Sequence, residues 1–287
     1  MEYWEIWNEP DLDPEDATNK RTWGGTAQQF YEFYEIAATH LKEKFPHLKI
    51  GGPASAFDEK WQDGFFQHLT AGGKRVPLDF FSWHCYGSKT EKFFNLSKIA
   101  REKLDKFGYH DTESILNEWN YIKSWDDFIY SVKHIISIKG AAFSAAIMCG
   151  AQNDTSIDML MYYDARPSGY NGLFDFYTHA PLKGYYSFKM FNTLYQLGTA
   201  CPCARDNGNI YAAAAKDADK KAVMISYFTD DDDCSEIIDI SLDFVGSNDR
   251  YEMLLLDSEH DAEAVGEVTA GEQIRLAPNT VCLLKSI

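Results

Sequence analysis

The chain lacks any apolar run of transmembrane length, and no signal-peptide pattern precedes its first apolar stretch. It is also short of positive charge. Lys and Arg number 27 against 44 Asp and Glu, a net charge of −17. That balance argues against nucleic acid and against anionic membrane surfaces as partners, because both attract basic patches. It disfavours acidic polymers for the same reason. Paired cysteine motifs are missing too. None of Cys85, Cys149, Cys201, Cys203, Cys234 and Cys282 has CxxC spacing, which argues against a structural zinc site. Cys201 and Cys203 are too close for an easy mutual disulfide. Cys85 and Cys149 sit in apolar runs and read as buried thiols. This usage points to a reducing, cytoplasmic setting. There is no internal repeat and no low-complexity linker.

What is present is enough apolar material for a large core. Hydrophobic residues make up 45% of 287, room for one large domain or two ordinary ones. The chain is organised around Tyr3-Trp4-Glu5-Ile6-Trp7-Asn8-Glu9-Pro10. Aromatics and Ile suit a covered, pleated strand. Pro10 cannot donate to a ladder, so the strand ends at or before Glu9. Asn8 and Glu9 then lie at a strand's carboxyl end, where parallel α/β barrels place their chemistry. A second run, Glu113 to Asn120, repeats the pattern: Leu116-Asn117-Glu118-Trp119-Asn120 again ends an apolar strand on a carboxylate flanked by Trp and Asn. Each Glu alone reads as an ordinary loop acid. Two strand-end acids in matching contexts read as the proton donor and the nucleophile or base of glycoside hydrolysis.

Between and after these runs, strands and helices alternate. Thr26 to Phe45 has helical periodicity and Pro46 stops it. Leu48 to Pro53 is a short strand, and Trp61 to Thr70 a helix closed by Gly72-Gly73. Leu78 to Tyr86 is a third strand that sets His84 and Tyr86 on one side, two residues apart. Phe93 to Phe107 reads as a helix, Ser114 to Glu118 as a strand, and Phe128 to Lys139 as a helix stopped by Gly140. Ala145 to Gly150 reads as a buried fifth strand, Ala151 to Phe176 as a long ordered loop carrying Gln152, and His179 to Leu197 as the last helix. Trp23, in the acidic loop from Asp11 to Gly25, is either a sugar platform or loop packing.

From Asn209 the pattern changes to short alternating strands: Ile210 to Ala215, Ala222 to Phe228, Ile237 to Phe244, Tyr251 to Leu256, Gln273 to Leu276 and Val281 to Leu284. Strands at this spacing indicate a β-sandwich. The acidic run Asp230 to Asp233 is either a solvated hairpin tip or a calcium loop. The reading gives two domains, 1–200 and 201–287.

Trp7-Asn8-Glu9-Pro10 followed by Leu116-Asn117-Glu118-Trp119-Asn120 resembles the retaining glycoside hydrolases of clan A, most of all family 39, the β-xylosidase and α-iduronidase family. The resemblance covers about the first two hundred residues. It implies a TIM-barrel-type (β/α)₈ domain in which Glu9 ends the fourth strand as acid/base and Glu118 ends the seventh as nucleophile. It implies a sixth-strand pair, His84 and Tyr86, beside the nucleophile, with Tyr86 bonded to Glu118. It also implies substrate contacts from Asn8, Trp119 and Asn120, to which Trp23 and Gln152 are added as candidates. The clan often has a Trp at the end of the eighth strand, and Ala145 to Asp154 holds none. The implied activity is double-displacement hydrolysis of a β-xyloside-like glycoside or oligosaccharide, exo-acting, with no metal or organic cofactor. The alternative is a catalytically silent carbohydrate-binding or scaffold fragment.

The strand count is five, where a complete barrel needs eight. The resemblance assigns them to strands four to eight, a partial barrel without strands one to three. Such a sheet has two raw edges. The expectation is a fragment of a longer chain, a homo-oligomer that covers the edges, or a barrel completed in some other way.

Overall fold

A computed structural model describes residues 1–154, 156–205, 207–241 and 249–287. The chain divides into two compact units. The first consists of Met1–Tyr86, Asn95–Trp119 and Ser156–Tyr163. The second consists of Gly87–Phe94, Asn120–Thr155 and Asp164–Ile287.

The first unit is built on a five-stranded sheet: β1 (Tyr3–Glu5), β2 (Lys49–Ser55), β3 (Phe80–Gly87), β4 (Glu113–Tyr121) and β5 (Met159–Tyr162), in that spatial order. The β1–β2, β2–β3 and β4–β5 ladders are parallel. The result is a half-barrel. Helices α1 (Ala27–Lys44), α2 (Glu59–Thr70) and α3 (Thr90–Lys106) connect the strands. Helix α1 starts on a capping box, with Thr26 accepting from the Gln29 amide and Gln29 reaching back to the Thr26 amide. Asp58 caps α2 through the Trp61 amide. Phe30, Tyr34, Phe65 and Phe66 are buried beneath these helices. Gly51 lets β2 pass close to β3, since a Cβ there would lie 2.1 Å from the Phe80 carbonyl oxygen.

Side-chain contacts between β1 and β4, which are not neighbours in the sheet, show that the sheet curls. The Tyr3 hydroxyl and the Lys49 ammonium both donate to Glu113 near the amino ends. One step further along, Asn117 donates to Glu5 at 2.8 Å. Every second residue of a strand faces the same side, so these groups form successive layers inside the curl.

The second unit contains a six-stranded sheet in the order β11 (Asp261–Thr269), β10 (Arg250–Leu256), β13 (Thr280–Ser286), β8 (Lys221–Tyr227), β7 (Ile210–Lys216), β6 (Thr199–Cys201), with antiparallel ladders. A two-stranded ribbon, β12 (Gln273–Leu276) with β9 (Ile238–Ser241), pairs antiparallel. Ile225, Tyr227, Tyr251, Ile274, Leu276 and Leu284 form the core shared by sheet and ribbon. Helices α5 (Ile138–Asp154) and α6 (Lys183–Leu197) pack on each other and on β7 and β8.

Three expectations change. Ala145 to Gly150 is not a strand but the buried middle of α5. Its Ala-rich run has the best helix formers, and a helix apolar on all sides gives no periodicity to read. The fifth strand is Met159–Tyr162, inside the expected loop. Gly140 does not end a helix. Helix α4 (Phe128–Ile135) stops at Ile136, and Gly140 lies within α5, where a Cβ would meet the Ile135 carbonyl oxygen at 2.5 Å. The glycine thus allows the sharp turn between the two helices. Finally, residues 120–155 and 164–200 pack with the antiparallel sheet, so the compact units do not divide at residue 200. No single helix among the described residues is long and apolar enough to cross a membrane.

Candidate active site

The site is assembled at the carboxyl ends of β1, β3 and β4, within the first unit. After β1 the Ile6 amide still bonds the Gly51 carbonyl at 2.9 Å. Trp7 and Glu9 then take left-handed φ values of 75° and 48°, and the chain turns. Such values are uncommon outside glycine and must be held by surroundings. Several bonds hold this turn. The Glu9 amide donates to the Ala54 carbonyl at 2.9 Å, and the Thr22 hydroxyl donates to the Glu9 carbonyl. The Trp7 indole N–H donates to the Thr22 carbonyl at 3.1 Å. Asp11, buried, accepts from the Ser55 hydroxyl at 2.6 Å and from the Ala56 and Asp58 amides at 2.8 and 2.9 Å. It ties the turn after β1 to the loop after β2. Burial raises its carboxyl pKa despite these three donors.

Glu118 comes from β4, at a register irregularity between Leu116 and Trp119. His84 and Tyr86 come from one side of β3. His84 Nδ1 lies 2.7 Å from Glu9 Oε1 and 3.7 Å from Glu118 Oε2. The Tyr86 hydroxyl donates to Glu118 Oε1. One atom from each of Glu9, His84 and Glu118 lies within 4.8 Å of the others. The His84 side chain is 3% exposed, while those of Glu9 and Glu118 are 16% and 21% exposed. Among the described residues, neither glutamate forms an ion pair with a lysine or arginine.

A residue that the sequence reading passed over stands directly below. Glu5 is an exposed residue whose carboxyl is nonetheless partly desolvated by the protein around it. That desolvation raises its pKa, and the Glu118 charge pushes the same way. Asn117 donates to it, while the buried Asn117 Oδ1 has no hydrogen-bond partner. The signal was available: Glu5 and Asn117 are each an even step from a residue of the layer beneath, Tyr3 and Glu113.

The other expected site residues fall in different places. Asn8 is exposed in the turn. Trp119 is fully buried and packs edge-on against Tyr162 at 5.3 Å. Tyr162 ends the fifth strand and Tyr163 follows it, where the resemblance implies a Trp. Trp23 packs with Trp7, Phe30 and Phe33, and its indole N–H donates to Thr26. It also lines a cavity of about 400 Å³ with Asp13, Lys20 and Trp61. Asn120 and Gln152 belong to the second unit. Asn120 is buried and donates to the Tyr170 carbonyl at 2.6 Å. Gln152 is exposed on α5, not on a loop.

The acidic run in the second unit is a different kind of cluster. Asp230 accepts from Lys123 at 2.7 Å and from the Tyr121 hydroxyl at 2.6 Å. Asp232 accepts from Lys139 and from the Tyr130 hydroxyl, each at 2.5 Å. Lys139 is buried and also donates to the Asp230 carbonyl at 2.8 Å. Asp231 to Asp233 are exposed, as a solvated tip requires, while Asp230 and Asp232 are paired with lysines of the chain itself.

Residues 2–123 match the model of the glycosyl hydrolases family 39. The likeness carried by the two motifs therefore extends over the stretch between them. Two curated β-xylosidases are similar to this chain. The one from Caldicellulosiruptor saccharolyticus is 34% identical over 104 residues, and the one from Geobacillus stearothermophilus 38% identical over 87. These matches span 36% and 30% of this chain and only 19% and 16% of those proteins. Among solved structures, a glucosidase from Croceicoccus marinus superposes with TM-score 0.72 at 22% identity, covering 99% of this chain and 68% of that one. A family 44 xyloglucanase from Paenibacillus polymyxa gives TM-score 0.71 at 11% identity, covering 99% and 66%. A family 30 endoxylanase from Clostridium papyrosolvens gives 0.67 at 14%, covering 100% and 65%. At these identities the superpositions speak for the fold alone, a curled parallel half-barrel sheet together with antiparallel sheets.

Proposed function

We propose, from the family 39 likeness of residues 2–123, that the chain carries the acid pair of a retaining glycoside hydrolase acting on β-xyloside-like substrates from the chain end. The observation that carries the reading is that carboxyl oxygens of Glu9, in the turn after β1, and Glu118, on β4, come within 4.8 Å of each other around one buried imidazole. Retaining enzymes keep their carboxyl groups about 5–5.5 Å apart, while inverting enzymes separate them further to admit a water.

In this mechanism Glu118 attacks the anomeric carbon as Glu9 protonates the departing oxygen. The resulting glycosyl–Glu118 ester is cleaved by a water that Glu9 deprotonates. Tyr86 steadies Glu118 through Oε1 and leaves Oε2 to react. His84 holds Glu9 in place through Oε1. Asn8, exposed in the turn, hydrogen-bonds the sugar 2-hydroxyl. The test is hydrolysis of a panel of p-nitrophenyl glycosides led by the β-xyloside, with Glu9→Gln and Glu118→Gln alongside. Turnover abolished in both variants supports the reading, and turnover that survives in Glu118→Gln sinks it.

A second reading, a silent carbohydrate binder, is favoured by one feature. Among the described residues β1 pairs only with β2 and β5 only with β4, so the half-barrel has two open edges. Trp4 and Met161, on these edge strands, are 48% and 46% exposed. Sugar binding without turnover in folded protein, unchanged in Glu118→Gln, would establish it. A second copy that covers the edges is part of the first reading, and light scattering reads it as a dimer.

A further inference from the structure

We infer that His84, Glu9 and Glu118 also form a binding site for one divalent transition-metal ion, of the zinc or copper class. That the ion then excludes the glycoside rests on the reading above, but the binding itself does not.

The donor set fits the ion. One imidazole nitrogen and two carboxylate oxygens are ordinary zinc ligands, and a fourth position taken by water completes a tetrahedron. The three atoms come from three separate chain segments and already face one another, at 2.7 Å and 3.7 Å from the imidazole nitrogen. Bonds of about 2.0–2.2 Å place tetrahedral ligands about 3.4 Å apart. The pairs therefore change by side-chain movement, which the partly exposed carboxylates allow.

His84 is the fixed point. Its side chain is 3% exposed, between the buried neighbours Trp83 and Cys85 on β3. The second layer supports the first, as in established metal sites. Tyr86 bonds Glu118 Oε1, so Oε2 is the oxygen left facing the imidazole.

Charge favours occupancy as well. The cluster sets two carboxylates against one imidazole. No lysine or arginine ion-pairs with either acid among the described residues. Asp230 and Asp232 differ in this respect, because Lys123 and Lys139 neutralise them. Calcium and magnesium demand six or more oxygens, or an octahedral shell kept largely as water, and are not matched by this set. Copper exceeds zinc in the usual order of affinities.

The test is calorimetric titration of the chelator-treated full chain with zinc chloride, copper chloride and magnesium chloride. The expected result is one zinc or copper ion per chain and no magnesium. His84→Gln and Glu118→Gln each weaken zinc binding by at least about tenfold, as loss of one ligand should. His110→Gln, at an exposed surface histidine, leaves it unchanged. Circular dichroism confirms that the variants are folded. Should His84→Gln fail to fold, the cobalt-substituted wild type supplies a second measurement, since the visible bands of a four-coordinate ion are expected and those of a hexa-aquo ion overturn the site. No binding at about 1 mM free zinc, a concentration weaker than any useful site, overturns it too. So does stoichiometric binding that survives both variants. Glycoside turnover untouched by bound zinc removes the competition while the hydrolase reading stands. Zinc bound at this site in a chain that hydrolyses no glycoside removes the hydrolase reading while the metal site stands.

Discussion

Two acid pairs in this chain are built in opposite ways. Asp230 and Asp232 are matched by Lys123, Lys139, Tyr121 and Tyr130, and the loop they occupy is thereby fastened to α4 and α5. Glu9 and Glu118 share one imidazole, and Glu118 also accepts from one tyrosine. The first pair has used its charge for structure. The second holds charge in reserve, at a turn with two left-handed residues. Sites that act on ligands characteristically give up stability for such an arrangement. The difference supports the role proposed for Glu9 and Glu118 without reference to any relative.

The comparison can be broken in four ways. The largest effect belongs to Glu118→Gln. Turnover of the β-xyloside falls about 10⁴-fold, equivalent to about 5.5 kcal/mol of barrier. Its unfolding free energy in urea stays within about 0.5 kcal/mol of wild type or rises. A large stability loss would mean that Glu118 is structural.

Lys139→Met should behave in the reverse sense. It removes the donor shared by Asp232 and the Asp230 carbonyl, and costs about 2–3 kcal/mol in urea unfolding. Zinc binding at Glu9 and Glu118 is unchanged. Asp11→Asn falls between the two classes. Asp11 has no cation but three hydrogen-bond donors. Asparagine turns an N–H toward one of them, which costs about 1–2 kcal/mol. Turnover at saturating substrate drops with it, because Glu9 loses its anchored turn, and a stability loss with kcat intact would show that the turn holds itself.

The smallest effect is in pH. Hydrogen bonds from Lys139 and then Tyr130 lower the Asp232 carboxyl to about 2. A depressed carboxyl stabilises the fold above its unfolded pKa near 4 and loses that contribution as pH falls toward 2. Asp232 is half exposed, so solvent screening keeps the contribution below about 1 kcal/mol. Between pH 4 and 2 the urea midpoint of wild type should fall more than that of Asp232→Asn. Equal slopes would remove the ion pair from the account.

The residues around the imidazole were legible because each stands in a short local pattern. Glu9 precedes a proline after an apolar run, Glu118 repeats that context, and His84 and Tyr86 are two apart on one strand. Spacing put His84 and Tyr86 on one side of their strand, and the family resemblance put that pair beside Glu118. Helix α5 was illegible for a physical reason: it is covered on every side by α6 and the sheet, so its sequence carries no polar stripe. Strand β11 was missed because Asp261–Thr269 is largely exposed and acidic, with two register shifts against β10. An edge strand of this kind has little apolar alternation to display. The lysines of the second acid pair were invisible because Lys139 and Asp232 meet only when α5 and the loop after β8 are already in place.

The buried carboxylate of Asp11 has one more consequence, and it concerns time rather than strength. It accepts from the Ala56 and Asp58 amides, while the Glu9 amide donates to the carbonyl of Ala54 at the end of β2, just before that loop. All three amides are thus tied to one short stretch of chain. In deuterium exchange the three amides should open at one common rate, so that the proposed acid, Glu9, sits on a segment expected to move as a single block.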